Sequence, residues 1–314
     1  MPPSTHHALP DATVPRRPRS GQGHFGRPLL PWLACVALAS TGCGSGGGGT
    51  GAAPPAPTPL PPASDNTLAV PAGYSLVWAD EFEQPGLPDA TRWVHDTGMN
   101  KVGWHNREKQ YYSGPRLENA AVQDGRLVIT ARREDLSAQA DWGGQAYSSA
   151  RLITAGRRDW TYGFFEVRAK LPCGKGTWPA IWMLGSQGGW PAGGELDILE
   201  QVGSNPNRVF STVHTSAGSG GNGQGAATTL ADPCSAFHNY QMHWTAQQIR
   251  FGIDGVVHFT YRNPGTGTAA WPFDRPQFMI LNIAIGGDLG GPVDDNIFPV
   301  TLQVEHVRVF QKAP

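Results

Sequence analysis

An all-β sandwich is the fold this sequence predicts from residue 68 onward, and three observations carry it. Short runs of strand type recur along the chain, with no long amphipathic helix between them. Turn signals separate the runs, among them Asp124-Gly125 and Asp254-Gly255, the residue pairs of tight hairpins. Glycine and proline are abundant, 41 and 28 of 314 residues, which suits a turn-rich β protein even though the amino-terminal region inflates both counts.

In chain order the expected strands begin with Tyr74–Trp78, Ala120–Val122, Leu127–Arg132, Ala150–Thr154 and Gly163–Leu171. Ala180–Leu184, Leu196–Val202, Val209–His214, Tyr240–Trp244 and Gln248–Ile253 follow, and Val256–Tyr261, Gln277–Ala284 and Val300–Phe310 complete the set. Each is a run dominated by β-branched, aliphatic or aromatic residues, the side chains that pack on a pleated surface. Roughly 245 residues of one pattern fit a single sandwich rather than two domains.

The first 67 residues read differently. Arg16, Arg17, Arg19 and Arg27 precede an apolar run from Leu29 to Ala39, the charged and hydrophobic parts of an export signal over residues 1–43. The run is too short to span a bilayer. Thr41-Gly42-Cys43 resembles the end of a bacterial lipobox, with Ser40 where Leu is usual, so Cys43 is the expected lipidation site and membrane anchor. Ordinary cleavage nearby, with a secreted product, is the alternative. Residues 44–67 form a Gly/Pro-rich linker, flexible at its Gly-rich start and stiffer through Pro54–Pro62. A folded domain over 68–314 held by such a tether is expected at the cell surface or outside the cell.

The formal net charge is −1, with 16% charged residues, so neither nucleic acid nor an anionic membrane is an expected partner of the folded part. Eleven tryptophans are many for one domain; core filling is their default use, and flat platforms for sugar rings are the other. Beyond the signal only Cys173 and Cys234 remain. An oxidising compartment permits a disulfide between them, although linear spacing leaves the pairing open.

Residues 193–203 read Gly-Gly-Glu-Leu-Asp-Ile-Leu-Glu-Gln-Val-Gly, with three carboxylates inside an apolar stretch. Carboxylates are costly to bury and rare in strand interiors unless used. Alternation puts Glu195 and Asp197 on one face but sends Glu200 to the other. A β-bulge around Ile198-Leu199 would return Glu200 to the side of the first two. Glu195 and Glu200 are then about four strand steps, roughly 13 Å, apart at Cα, a gap two Glu side chains can largely close. Retaining glycosidases need two carboxyls ~5–5.5 Å apart, one as nucleophile and one as acid/base. Asp197 between them would raise its neighbours' pKa values and share a proton. An inert, solvated acidic edge strand would read the same over so short a string, so context must separate the two.

That context resembles glycoside hydrolase family 16, in particular its laminarinase-like bacterial endo-β-1,3-glucanases. The matching segments, in family order, include Leu76-Val-Trp-Ala-Asp-Glu-Phe82, Asn106-Arg-Glu-Lys-Gln-Tyr-Tyr112 and Ser149-Ala-Arg-Leu-Ile-Thr154. Tyr162-Gly-Phe-Phe-Glu-Val-Arg-Ala-Lys170, Gly176-Thr-Trp-Pro-Ala-Ile-Trp-Met-Leu184, Pro272-Phe-Asp274 and Leu281-Asn-Ile-Ala-Ile-Gly-Gly287 extend it over about 74–310.

The resemblance implies a concanavalin-like jelly roll with a substrate groove on its concave sheet. It implies Glu195 as nucleophile, Asp197 as its assistant and Glu200 as acid/base. Asn106, Glu108, Arg151, Trp178, Trp182 and His214 take substrate-binding positions, and Glu166 joins Arg151 on the concave sheet. His214 also follows from the residues: a hairpin after Gly203-Ser-Asn-Pro-Asn207 brings it opposite Glu195 to Asp197. Catalysis needs no cofactor, but a structural calcium would draw on Glu81, the backbone of Gly125 and Glu305. The implied partner is a β-glucan polysaccharide, β-1,3 with mixed β-1,3-1,4 linkage as the secondary substrate, and the protein is expected to be a monomer. Agar or carrageenan hydrolysis, transglycosylation, and a non-catalytic carbohydrate-binding module are the competing readings.

Overall fold

The computed structural model describes residues 66–313. The export signal, Cys43 and all but the last two residues of the linker therefore lie outside the described residues. The strands are β1 (Tyr74–Asp80), β2 (Val94–His95), β3 (Gln110–Tyr112), β4 (Ala120–Gln123), β5 (Arg126–Arg133) and β6 (Tyr147–Ser149). Next come β7 (Arg151–Ile153), β8 (Gly163–Lys170), β9 (Thr177–Gly185), β10 (Glu195–Gln201), β11 (Arg208–His214) and β12 (Gln224–Thr229). The last are β13 (His238–Trp244), β14 (Gln248–Ile253), β15 (Val256–Arg262), β16 (Gln277–Ile285) and β17 (Val300–Lys312). Every strand expected from the sequence is present. The additional ones, β2, β3, β6 and β12, are short or built from Gly, Ala and Thr, and so carry little apolar signal.

Two sheets form a jelly-roll sandwich. Seven strands in the order β12-β11-β10-β9-β16-β7-β2 make one; the ten-stranded sheet follows the path β15-β14-β13-β8-β17-β5-β6-β3, with β1 on β17 and β4 on β5. Between them lies one core, including Phe165, Met183, Leu196, Trp244, Phe251 and Leu281. Full burial of each such side chain contributes about 1.5–3 kcal/mol. Both Asp-Gly turns have left-handed backbone at their two central residues (φ 51° and 70° at 124–125, 49° and 81° at 254–255). That is the twist a two-residue hairpin demands.

The sheet assignment corrects one expectation. Glu166 lies on β8 of the ten-stranded sheet, paired in register with Gln241 and Arg308, and not on the sheet that carries the acid row. Cys173 and Cys234 form a disulfide with Cα atoms 5.7 Å apart.

Candidate active site

β10 carries the three carboxylates. Gly194, just before it, has φ 82°, and a Cβ there would sit 2.6 Å from the Phe273 ring. Only glycine lets the chain turn into Glu195 against that ring. Toward β11, Asp197 pairs with Thr212 and Glu200 with Phe210; toward β9, Asp197 pairs with Trp182 and Leu199 with Ile181. Each ladder has one residue too many on β10. The expected bulge is therefore present at Ile198-Leu199, where both side chains enter the core and Glu200 returns to the face of Glu195 and Asp197.

His214 pairs in register with Glu195, and its Nε2 lies 3.2 Å from Asp197 Oδ2. Trp178 is 8% exposed, and its indole N–H donates to Glu200 Oε1 at 2.9 Å. It therefore holds the acid through its N–H, a role in addition to the substrate-binding position expected of it. Trp182 donates to Asn282 Oδ1 at 2.7 Å, and Asn282 donates in turn to the Tyr112 hydroxyl at 2.9 Å. One donor of Arg151, the guanidinium Nε, is engaged within the protein. Its guanidinium lies between the Trp104 and Trp182 rings, 5.2 and 4.8 Å from their centroids, with Nε 2.9 Å from Asp96. It stiffens the groove wall.

Glu108 accepts from Gln110 at 2.8 Å and from Asn106 at 3.3 Å, beside the α1 turn (Gly287–Gly290). Burial pushes its carboxyl up, and its charge in turn raises Glu200. Arg107 is exposed and paired with Asp288. Two cleft residues went unread in the sequence. Trp190 is 54% exposed on the loop before β10, and its indole N–H donates to Glu195 Oε2. Its one signal is an aromatic residue inside a Gly/Pro-rich loop. Asn282 could have been found as the one polar residue within the apolar run 278–285 of β16.

The electrostatics suit acid–base work. Burial and the Asp197 charge push Glu195 up to about 8. Burial and the Glu195 charge push Glu200 up to about 7, against the opposing hydrogen bond from Trp178. Asp197, fully buried, is raised well above the usual carboxylate range by burial and by Glu200. These groups titrate as a unit. A Glu195 at about 8 is protonated at neutral pH and is no nucleophile in that state. The hydrogen bond to Asp197 also raises Glu195, so nucleophilic attack requires that proton to pass across the bond to Asp197, whose own carboxyl burial raises well above the usual range.

Glu195, Asp197 and His214 are also the one group of described residues whose ligand atoms crowd within 4.8 Å in a metal-like cluster. The expected calcium set does not fit a calcium ion. Glu81 accepts from Arg308 Nε and Nη2, both at 2.8 Å, and Glu305 accepts from Arg168 at 2.6 Å. Gly125 sits in a tight hairpin turn, and both carboxylates already have arginine as counter-charge, where calcium needs several free oxygens.

Paired carboxylates with raised pKa values, Glu200 buried and Glu195 half-buried, on one face of a sandwich sheet walled by tryptophans, define a glycoside hydrolase of the two-carboxylate type. Residues 107–296 match the glycosyl hydrolases of family 16, and the chain belongs to that family. It is 44% identical over 252 residues to a β-glucanase of Rhodothermus marinus, an alignment covering 76% of this chain and 85% of that protein. The crystal structure of the laminarinase from Rhodothermus marinus superposes with a TM-score of 0.72 at 44% identity, over 77% of this chain and 98% of that one. SCLam, described as a non-specific endo-β-1,3(4)-glucanase of the same family, superposes with a TM-score of 0.77 at 50% identity, over 79% of this chain and 94% of that one.

Proposed function

We propose that this protein is a retaining endo-hydrolase of β-1,3-glucan that also accepts mixed-linkage β-1,3-1,4-glucan. The observation that carries the reading is the bulged strand β10, which sets Glu195 and Glu200 on one face with Asp197 between them. Its similarity to a laminarinase and to a non-specific endo-β-1,3(4)-glucanase supports the substrate class and its breadth. Glu195 attacks the anomeric carbon while protonated Glu200 gives its proton to the departing glycosidic oxygen. Glu200, now ionised, takes a proton from water, whose oxygen displaces Glu195 with net retention. Asp197 keeps the shared proton off Glu195, and His214 and Trp190 fix the orientation of the pair.

The amino-terminal signal supports export, with Cys43 as a lipid anchor and the linker as a tether at the cell surface. No calcium enters the proposal. Product analysis on laminarin, lichenan, agarose and carrageenan tests the substrate assignment. Oligosaccharides of mixed length should appear from laminarin and lichenan. Cleavage of a galactan alone would overturn the substrate class, and no cleavage by the folded protein would favour a binding module.

A further inference from the structure

The bulge that aims Glu200 is tied to the opposite sheet. Ser211 lies on the core face of β11 and is 1% exposed. It sits at the step between Phe210 and Thr212 that spans the extra residue of β10. Its hydroxyl donates to the Ile198 carbonyl at 2.8 Å. That carbonyl belongs to the bulged residue, whose backbone the distorted ladder serves poorly. Because the hydroxyl has only one proton, Ser211 Oγ is the acceptor in its second contact, with His258 Nε2 at 3.0 Å. The imidazole N–H is thereby assigned to Nε2. Burial pushes this imidazole down to about 4, so it is neutral at working pH and holds one N–H.

His258 is itself a bulged residue. On β15, Val257 pairs with Gly252 and Phe259 with Phe251, so His258 is the extra residue in that ladder. Phe251 and Phe259 stack beside it, with ring centroids 5.5 Å apart. Two bulges, one in each sheet, are thus joined through the sandwich by a histidine and a serine. The cost is visible: His258 Nδ1 is buried without a hydrogen-bond partner among the described residues. Apolar side chains at both positions would fill the space with no such penalty.

We infer that Ser211 and His258 are positioning residues for the general acid/base, clamping the Ile198 bulge so that Glu200 points at the glycosidic oxygen. Glu200 is the first groove-facing residue after the bulge, so slack at Ile198 displaces it most directly. Leu196 and Gly194 hold Glu195 on the other side. The inference rests on Glu200 being the acid/base, and its test is arranged to fail separately from that assignment.

The test uses the full-length protein and two substrates. Laminarin needs a proton on its leaving group, whereas a 2,4-dinitrophenyl β-laminaribioside does not. Ser211→Ala and His258→Leu should lower kcat on laminarin by about 10- to 100-fold, the size of a misplaced general acid. The burst of dinitrophenolate in the first turnover should stay within about two-fold of wild type. Azide should restore steady turnover of the aryl glycoside, because azide needs no general base to attack the glycosyl-enzyme. His258→Gln, which keeps a donor amide toward Ser211, should recover most of the laminarin activity.

A dinitrophenolate burst slowed as much as laminarin turnover, steady aryl-glycoside turnover that azide does not restore, or a His258→Gln variant no better than His258→Leu would overturn the clamp and leave Ser211 and His258 as ordinary packing. Unchanged laminarin turnover would do the same. Glu200→Ala run alongside must itself show the split between substrates and the azide response. If it does not, the acid/base assignment fails, whatever the Ser211 and His258 variants do.

Discussion

At the scale of single residues, one indole sets the working range of the acid. The Trp178 N–H stabilises ionised Glu200, while burial pushes the carboxyl the other way, to about 7. Glu200 must be protonated to assist departure of the leaving group, so kcat/KM falls as pH rises through its pKa. Trp178→Phe removes the hydrogen bond that lowers that pKa. The alkaline limb of the kcat/KM profile should then move up by roughly one pH unit, the worth of a hydrogen bond to a charged group. An unmoved or lowered limb would show that Trp178 does not bear on the acid. Residue-level legibility was uneven for a physical reason. The acids could be read because charges in an apolar strand are anomalous wherever they occur. The Trp178 bond could not, because Trp178 sits on β9 two positions from the residue facing Glu200, and its indole reaches diagonally across the ladder. Trp190 lies on a loop without periodicity, so nothing in the sequence aims it at Glu195.

At the scale of the element, the geometry of β10 depends on its entry as well as its bulge. Gly194→Ala would force an alanine to φ 82° and drive its Cβ toward Phe273. The left-handed backbone alone costs roughly 1–2 kcal/mol, before the steric conflict is added. Urea unfolding should show a loss of about 2 kcal/mol or more, accompanied by reduced kcat from a displaced Glu195. Stability within about 0.5 kcal/mol of wild type would mean that the entry is not constrained as described. Here the sequence was informative. The two residues between Asp197 and Glu200 require a bulge if all three acids share a face, and the loop length after β10 fixes His214 opposite Glu195. The position of Glu166 was misread because membership of a sheet is decided by non-local pairing. Neighbouring sequence shows alternation but not which of two sheets a strand joins.

At the scale of the whole molecule, the acid cluster opposes the stability of the fold that holds it. Folded-state pKa values raised above 4.5 mean that the native protein binds protons more tightly than the unfolded chain. The cluster's contribution is therefore most favourable below about pH 4.5 and is lost as pH rises toward 7–8. Glu200→Gln keeps an acceptor for Trp178 but removes the buried charge. It should raise Tm at pH 8, with about 2–4 °C for each kcal/mol recovered in a domain of this size, and the gain should shrink toward pH 5. A gain that is equal at both pH values, or a loss at pH 8, would contradict the linkage. The sandwich class was legible throughout, since turn chemistry and alternation repeat along the chain. The coupling of the two sheets through Ser211 and His258 was not, because neither residue departs from what an ordinary strand contains.

The decisive measurement is to trap the glycosyl-enzyme with a 2-deoxy-2-fluoro-β-laminaribiosyl fluoride and locate the label by fragmenting the β10 peptide in a mass spectrometer. A single sugar ester on Glu195, released on adding an acceptor, is the predicted result. An ester on Glu200, or an unlabelled enzyme that gives product of inverted configuration, would contradict the assignment of nucleophile and acid on which the mechanism stands.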